Sequence, residues 1–262
     1  MAEVNSLYTS RIIKASALLA DTKTLLANWN DDLSIPENLS LFRQENIFGK
    51  ASRSRVEDIL TIFRQRYLVI PSVIRALVIL VKSRFSSESL DRLLYFHAAQ
   101  SDRLLHDTVT EVLSSFQIQG RSEIRVEDLQ SALSLWVREG KTAGRWSEPT
   151  ILRIAQGLLS TLRDFRVLQG AVNKRLAPIY LPIEAFAYIA FYLRQSQPSG
   201  ERLIQDPEWR LFFLFPQTVE KLFMEAHQRR LLEYHAAGSI IRIAFPAKSL
   251  EEYASVISER SH

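Results

Sequence analysis

Residues 147–181 read SEPTILRIAQGLLSTLRDFRVLQGAVNKRLAPIYL, and this stretch decides the fold class of the chain. Ser147 followed by Pro149 is a typical helix start, with the serine as N-cap and the proline in the first turn. The apolar residues that follow at helical spacing predict a buried face made of Ile151, Ala155, Leu158 and Leu162. After them, two short strands are predicted, Phe165–Leu168 and Arg175–Leu181, separated by a glycine-containing turn.

The segment before this stretch, Val126–Glu139, is also predicted to be an amphipathic helix. Helix, helix and a basic β-hairpin follow one another in a winged helix-turn-helix, whose second helix enters the major groove of DNA while the hairpin lies against the backbone. We therefore expect a mainly α fold of two helix-turn-helix-like halves, the second a winged helix with a small β-hairpin. The polar stretch Gln117–Ser122 is the predicted boundary. It divides an N-terminal helical domain (1–119) from a C-terminal winged-helix-like domain with a helical extension (120–262).

Further helices are predicted on both sides of this unit. Ile12–Leu26 is expected to be one helix, and Ser34 and Ser52 are expected to begin two more, the second running to Tyr67. Near the end of the chain, Pro216–Ala236 is expected to be helical and Gly238–Phe245 to be a strand.

Composition excludes several classes of protein. Apolar residues are 47% and charged residues 24% of the 262, which is typical of a globular chain, and glycine is scarce at 8. There is no cysteine, so disulfides and cysteine-bound metals are excluded and a reducing cytoplasm is expected. The two most apolar stretches, Ile70–Val81 and Ile179–Leu193, are shorter than the ~20 residues of a membrane span. We expect a soluble cytoplasmic protein without membrane contact.

The net charge is only +4, but positive charge is concentrated in two segments. Arg43–Arg66 holds six basic and three acidic residues, and Arg145–Arg175 holds six basic and two acidic ones. Such segments are candidate contact surfaces for a polyanion, although a charged segment can equally be a solvated helix face.

The first segment offers Lys50, Ser52, Arg53, Ser54, Arg55 and Arg64 as DNA-binding residues. Several of them lie at a helix start, where free N–H groups favour phosphate. At 100° per residue, Arg53 and Arg64 share one exposed stripe, and Arg55 and Arg66 are expected to share another.

The second segment offers Arg145, Trp146, Thr150 and Arg153 around the predicted recognition helix, and Lys174 and Arg175 on the wing. Gly157 is expected on the same outer helix face, and the two wing residues are expected to project from the hairpin tip.

Enzymatic motifs find no support. Gly140-Lys141-Thr142 lacks the preceding glycine of a phosphate-binding loop, because Leu135 stands there. Nine residues place His97 and His106 on opposite faces of one helix, so they share no metal. On a continuous helix, His227 and His235 would lie about 12 Å apart. We predict no catalytic residue, no metal and no cofactor, while an active site assembled from distant residues stays open.

Several longer motifs resemble the BrxA family of BREX (bacteriophage exclusion) phage-defence systems. They are Tyr8–Arg11 with Asp21-Thr22, Gly49–Arg55, Leu158-Leu159 through Arg163–Phe165, Lys174–Pro178, Ser199–Leu203, Glu208–Leu214 and Glu225–Gln228. The resemblance covers essentially the whole chain. It leads us to expect a glycine where Arg166 stands, and an arginine would be strained if that turn required a positive φ.

This resemblance implies a non-catalytic accessory protein that works beside a methyltransferase, a phosphatase-like protein and an ATPase. It also implies a winged-helix-like fold and double-stranded DNA binding, which the two basic segments indicate independently. The alternative is a protein–protein adaptor that assembles the BREX complex with little or no DNA contact, and an enzyme ranks third.

Overall fold

The computed structural model describes residues 7–14, 16–50, 52–83, 85–197, 199–238 and 240–260. These residues are mainly helical with two small antiparallel sheets, so the mainly α fold class is confirmed. The α-helices are α1 (Leu19–Ala27), α2 (Ile35–Glu45), α3 (Arg53–Tyr67), α4 (Pro71–Lys82), α5 (Ser87–Ser101), α6 (Arg103–Asp107), α7 (Ser114–Ile118), α8 (Val126–Arg138), α9 (Glu148–Asp164), α10 (Ile183–Arg194), α11 (Gly200–Ile204), α12 (Pro216–Gln228) and α13 (Leu250–Glu259). The strands are β1 (Glu123–Ile124), β2 (Leu168–Gln169), β3 (Lys174–Leu176), β4 (Glu233–Ala237) and β5 (Ile240–Ala244). Two 3₁₀ segments span Ser10–Ile13 and Pro207–Phe212, and a π-helical segment, Thr108–Leu113, joins α6 to α7.

The predicted helix starts at Ser34, Ser52 and Ser147 are confirmed as N-cap positions of α2, α3 and α9. Of these three serines, only Ser34 caps with its side chain. It forms a capping box: its hydroxyl oxygen accepts from the Glu37 N–H, and its own N–H donates to the Glu37 carboxylate. Ser147 Oγ instead lies 3.0 Å from Thr150 Oγ1. The predicted buried faces of α3 and α9 are confirmed at Val56, Ile59, Leu60, Phe63, Ile151, Ala155, Leu158 and Leu162.

The prediction of one helix over Ile12–Leu26 is wrong. The chain forms a 3₁₀ turn at Ser10–Ile13, and α1 begins only after Leu18, whose φ of 53° is left-handed and interrupts any helix. We call residues 7–13 the N-terminal strap. Its Tyr8 donates from its N–H to the Lys141 carbonyl (2.8 Å) and accepts from the Ala143 N–H (2.9 Å). These two hydrogen bonds attach the strap to the loop between α8 and α9.

The strands of the first sheet flank helices α8 and α9 in sequence: β1 precedes α8, and β2 and β3 follow α9. The strand order of this sheet is β1-β3-β2, with all neighbours antiparallel, and Arg175 at its centre pairs with both Glu123 and Gln169. The predicted hairpin is present, but its strands are shorter than expected and shifted along the chain. β1 was not predicted, because two residues between turns carry no detectable alternation.

The C-terminal region folds back on itself. Helix α12 ends at Gln228 rather than near Ala236, because Arg230 adopts a left-handed φ of 59° and turns the chain into β4. β4 pairs with β5, which confirms the predicted strand and adds an unpredicted partner. Farther on, α13 packs against α4, with Arg75 Nε 2.8 Å from Glu251 Oε1. Buried side chains form one core on both sides of the proposed boundary at 119/120, and the division into two domains stays a prediction.

Candidate nucleic-acid interface

Helix α9 has one buried and one exposed face. Leu152, Arg153 and Gln156 are exposed between buried residues, and their spacing places them on one side of the helix. Arg153 has no carboxylate within 4.0 Å among the described residues. The sequence interpretation missed Gln156, although it lies three residues after Arg153 and can pair with adenine through its amide.

The expected placement of Gly157 on this outer face is wrong. The strap covers Gly157, and a Cβ added there would lie 3.0 Å from the Ile12 carbonyl oxygen. Tyr8 of the strap also packs on Trp136 of α8, with ring centroids 4.9 Å apart. The exposed surface of α9 is therefore narrower than periodicity indicated.

The residues that precede and begin α9 border this exposed face. Arg145 is exposed, whereas Trp146 and Thr150 are each half-buried. Arg145, like Arg153, has no carboxylate partner among the residues that the structure describes.

The two basic wing residues differ in accessibility. Lys174 does not project, because its side chain is buried and its Nζ donates to the Ala171 carbonyl inside the turn. Arg175 is exposed and keeps its charge toward solvent. The side chain that projects at the tip is Val172, which is 90% exposed. The expectation that both Lys174 and Arg175 project from the hairpin is therefore wrong for Lys174, and of the two only Arg175 is exposed.

Most of the candidate residues at the start of α3 are exposed, as a contact surface requires. Ser52, Arg53 and Ser54 are exposed and Arg55 is half-buried, and neither arginine has a carboxylate partner in the described parts of the chain. Lys50 differs, because its Nζ lies 3.0 Å from Asp21 Oδ1.

The predicted stripe of Arg55 and Arg66 is wrong. Arg64 is exposed as expected, but Arg66 is only 6% exposed and its Nη1 donates to the carbonyls of Ser16 and Ala17. Its guanidinium lies 5.7 Å from the ring of Phe165, just after α9. The start of α3 lies roughly 20 Å along the helix from this contact, so Arg66 is not part of the basic surface at that start.

The histidines in the described part of the chain form no metal site. His97 is buried against the Tyr188 hydroxyl (3.1 Å), and burial lowers its pKa to about 3. His106 lies between Asp107 (2.7 Å) and Glu208 (3.1 Å). Burial lowers its pKa, but the hydrogen bonds to both carboxylates outweigh burial and raise it to about 9.

The expected separation of His227 and His235 is wrong, because β4 returns along α12 and brings the two ring centroids to 5.7 Å. Even so, the described residues contain no group of three or more potential metal ligands.

A family comparison decides the assignment of this chain. The BrxA family model matches residues 6–192, which is more than half of the sequence. The chain belongs to the BrxA family. BrxA is an accessory family of BREX phage defence, so the resemblance noted from the motifs is confirmed.

Two further comparisons set this BrxA chain against solved structures and against curated proteins. A crystal structure of an uncharacterized protein from Magnetospirillum magneticum is similar, with a TM-score of 0.61 and 15% identity over 79% of this chain and 99% of the other. At that identity the likeness concerns the fold alone. No curated protein matches the chain.

Among the described helices of this BrxA protein, none has the length and apolar character needed to cross a membrane.

Proposed function

We propose that this BrxA protein is a non-catalytic accessory that binds double-stranded DNA in anti-phage defence. The observation that carries the proposal is the exposed face of α9, where Gln156 lies beside Arg153, which has no carboxylate partner among the described residues. These two residue types make bidentate contacts to guanine and adenine in the major groove.

The arrangement around α9 supports this reading. The chain order β1–α8–α9–β2–β3, with β3 central in the sheet, agrees with the order expected of a winged helix-turn-helix and so supports the proposal. In that geometry α9 is the recognition helix and Arg175, on the central strand, is placed for a backbone phosphate. The start of α3, with Arg53 and Arg55, provides a second phosphate-binding patch.

Charge reversal on the wing tests the proposal. Purified wild-type protein and the Arg175→Glu variant are titrated with duplexes of unrelated sequence at two salt concentrations. We expect the variant to bind every duplex more weakly and to reduce the salt slope by about one, because one phosphate contact is lost. Arg202→Glu, which makes the same charge change at an exposed position on α11, is the matched control and should bind like wild type.

Helix α9 is tested separately with Arg153→Ala. This variant should lose preference among duplex sequences, by about 1–3 kcal/mol at the base pair that the arginine reads. Duplex affinities that do not change in either variant, in folded protein, contradict the proposal.

An adaptor is the second candidate function, and the observation that favours it is Val172, an apolar side chain that is 90% exposed at the turn of the wing. Its partners would be the BREX methyltransferase, phosphatase-like protein or ATPase. Arg175→Glu would then leave DNA affinity unchanged but abolish co-purification with one of these components, together with phage protection. Measuring both properties on the same variant decides between the two functions.

A further inference from the structure

A cavity of about 170 Å³ lies beneath the N-terminal strap, outside the surfaces described above. Its walls come from the strap, from α3 and from the junction of α5 with α6. The polar side chains that line it are Thr9, Arg11, Gln65, Arg66, Ser101, Asp102 and Arg103. Arg103 pairs with Asp107 (3.2 Å), so Arg11 and Arg66 against Asp102 leave this small space one net positive charge.

Arg66 is the decisive residue of the cavity. It is 94% buried, yet its Nη2 has no hydrogen-bond partner among the described residues. Nη1 is fully engaged by two carbonyls, so the unpaired donor is the other arm of the fork. A buried charged donor without an acceptor is costly, and a ligand that supplies the acceptor is one of the few explanations for it.

The neighbouring carboxylate does not meet this need. Asp102 accepts from the N–H groups of Leu104 and Leu105 through Oδ1 and so caps α6. It makes no ion pair within 4.0 Å with either Arg66 or Arg11 in the part of the chain described. Burial raises the pKa of Asp102, whereas Arg66, Arg11 and the two N–H groups lower it.

We propose that this cavity binds a tetrahedral oxyanion, a phosphate group, between Arg66 and Arg11. Guanidinium groups match phosphate oxygens in a bidentate manner, and the volume admits one phosphate group rather than a whole nucleotide. Hydroxyl and amide donors from Thr9 and Gln65 line the same space, whereas the Ser101 hydroxyl donates to the Ala98 carbonyl (3.0 Å). A bound phosphate would link the strap to α3 and thereby hold the strap on α9.

Two sources provide this chemistry, free phosphate and a DNA backbone phosphate, and two experiments separate them. In the first, thermal unfolding is followed while inorganic phosphate is added, with potassium chloride at equal ionic strength as reference. A free-phosphate site raises Tm by roughly 3–5 °C for each tenfold increase in phosphate above the dissociation constant. This arm is independent of DNA binding, so its result stands whether or not the proposed function holds.

Arg11→Gln is the informative variant, because Arg11 is exposed on the strap and its loss does not disturb the core. It should weaken phosphate binding about tenfold or more, since one charge-assisted contact is lost. Lys14→Gln is the matched control: this exposed residue adjoins the same 3₁₀ turn but does not line the cavity.

In the second experiment the same variants are titrated with a duplex. If free phosphate has no effect but Arg11→Gln lowers duplex affinity and reduces the salt slope by about one, the site holds a backbone phosphate. If Arg11→Gln changes neither phosphate stabilisation nor duplex affinity relative to Lys14→Gln, the proposal is overturned.

Discussion

Arg166 shows how a single residue carries strain at the end of α9. The chain closes there in a Schellman arrangement, with the Val167 N–H donating to the Leu162 carbonyl and the Arg166 N–H donating to that of Arg163, both at 2.9 Å. Arg166 itself adopts a left-handed φ of 59°, the conformation that the family resemblance associated with glycine at this position. Its charge also faces the buried Arg92, whose pKa is lowered first by burial and further by Arg166.

Replacing this arginine with glycine should therefore stabilise the protein. We expect Arg166→Gly to raise the free energy of unfolding by roughly 1 kcal/mol, because a left-handed conformation costs a non-glycine residue about that much. Urea denaturation measures the change. Arg163→Gly, in the last turn of α9, is the control and should be destabilising by about 1 kcal/mol. Equal losses in both variants would contradict this account.

At the scale of elements, two glycines each allow a helix to pack closely against the backbone of another segment. Gly157 on α9 lets the backbone of Ile12 approach, and Gly200 at the start of α11 does the same for Ile241 of β5. A Cβ at Gly200 would lie 2.6 Å from the Ile241 carbonyl oxygen. The family motif Ser199–Leu203 thus includes a glycine, Gly200, that the close packing of α11 on β5 requires.

A large side chain at Gly157 should displace the N-terminal strap. We expect Gly157→Leu to lower the free energy of unfolding by about 2 kcal/mol, as overpacking against a backbone does. It should also make residues 7–13 an early site of limited proteolysis. Gln156→Leu, one residue earlier and exposed, should leave both properties near wild type. An intact strap in Gly157→Leu would show that the contact tolerates bulk.

At the scale of the whole molecule, a buried polar network joins three distant parts of the chain. Asp107 accepts a hydrogen bond from the Tyr8 hydroxyl of the strap (2.6 Å) and lies 2.7 Å from His106. His106 in turn contacts Glu208 in the 3₁₀ segment before α12. Since the folded pKa of His106 is about 9 and the unfolded value is about 6.5, the folded state binds its proton more tightly.

Stability should consequently depend on pH through this one histidine. The contribution of His106 is fully present below pH ~6.5 and is lost as pH rises through about 9. We expect it to be on the order of 2 kcal/mol, measured as the difference between wild type and His106→Gln in denaturation at pH 6 to 10. His235→Gln, at an exposed position on β4, should keep the wild-type pH profile. Parallel profiles for wild type and His106→Gln would refute this role.

The sequence alone determined most of the helical segments and their apolar faces, though not the breaks at Leu18 and Arg230, because period and caps are local properties. The faces of α3 and α9 and the start of α2 follow from them, as does family membership from the motifs. What covers a face, however, depends on elements far away in the chain. The strap over Gly157 and the burial of Arg66 both arise this way. A charge within a helical pattern is solvated or buried according to its tertiary partners, and these are set only when distant elements pack together.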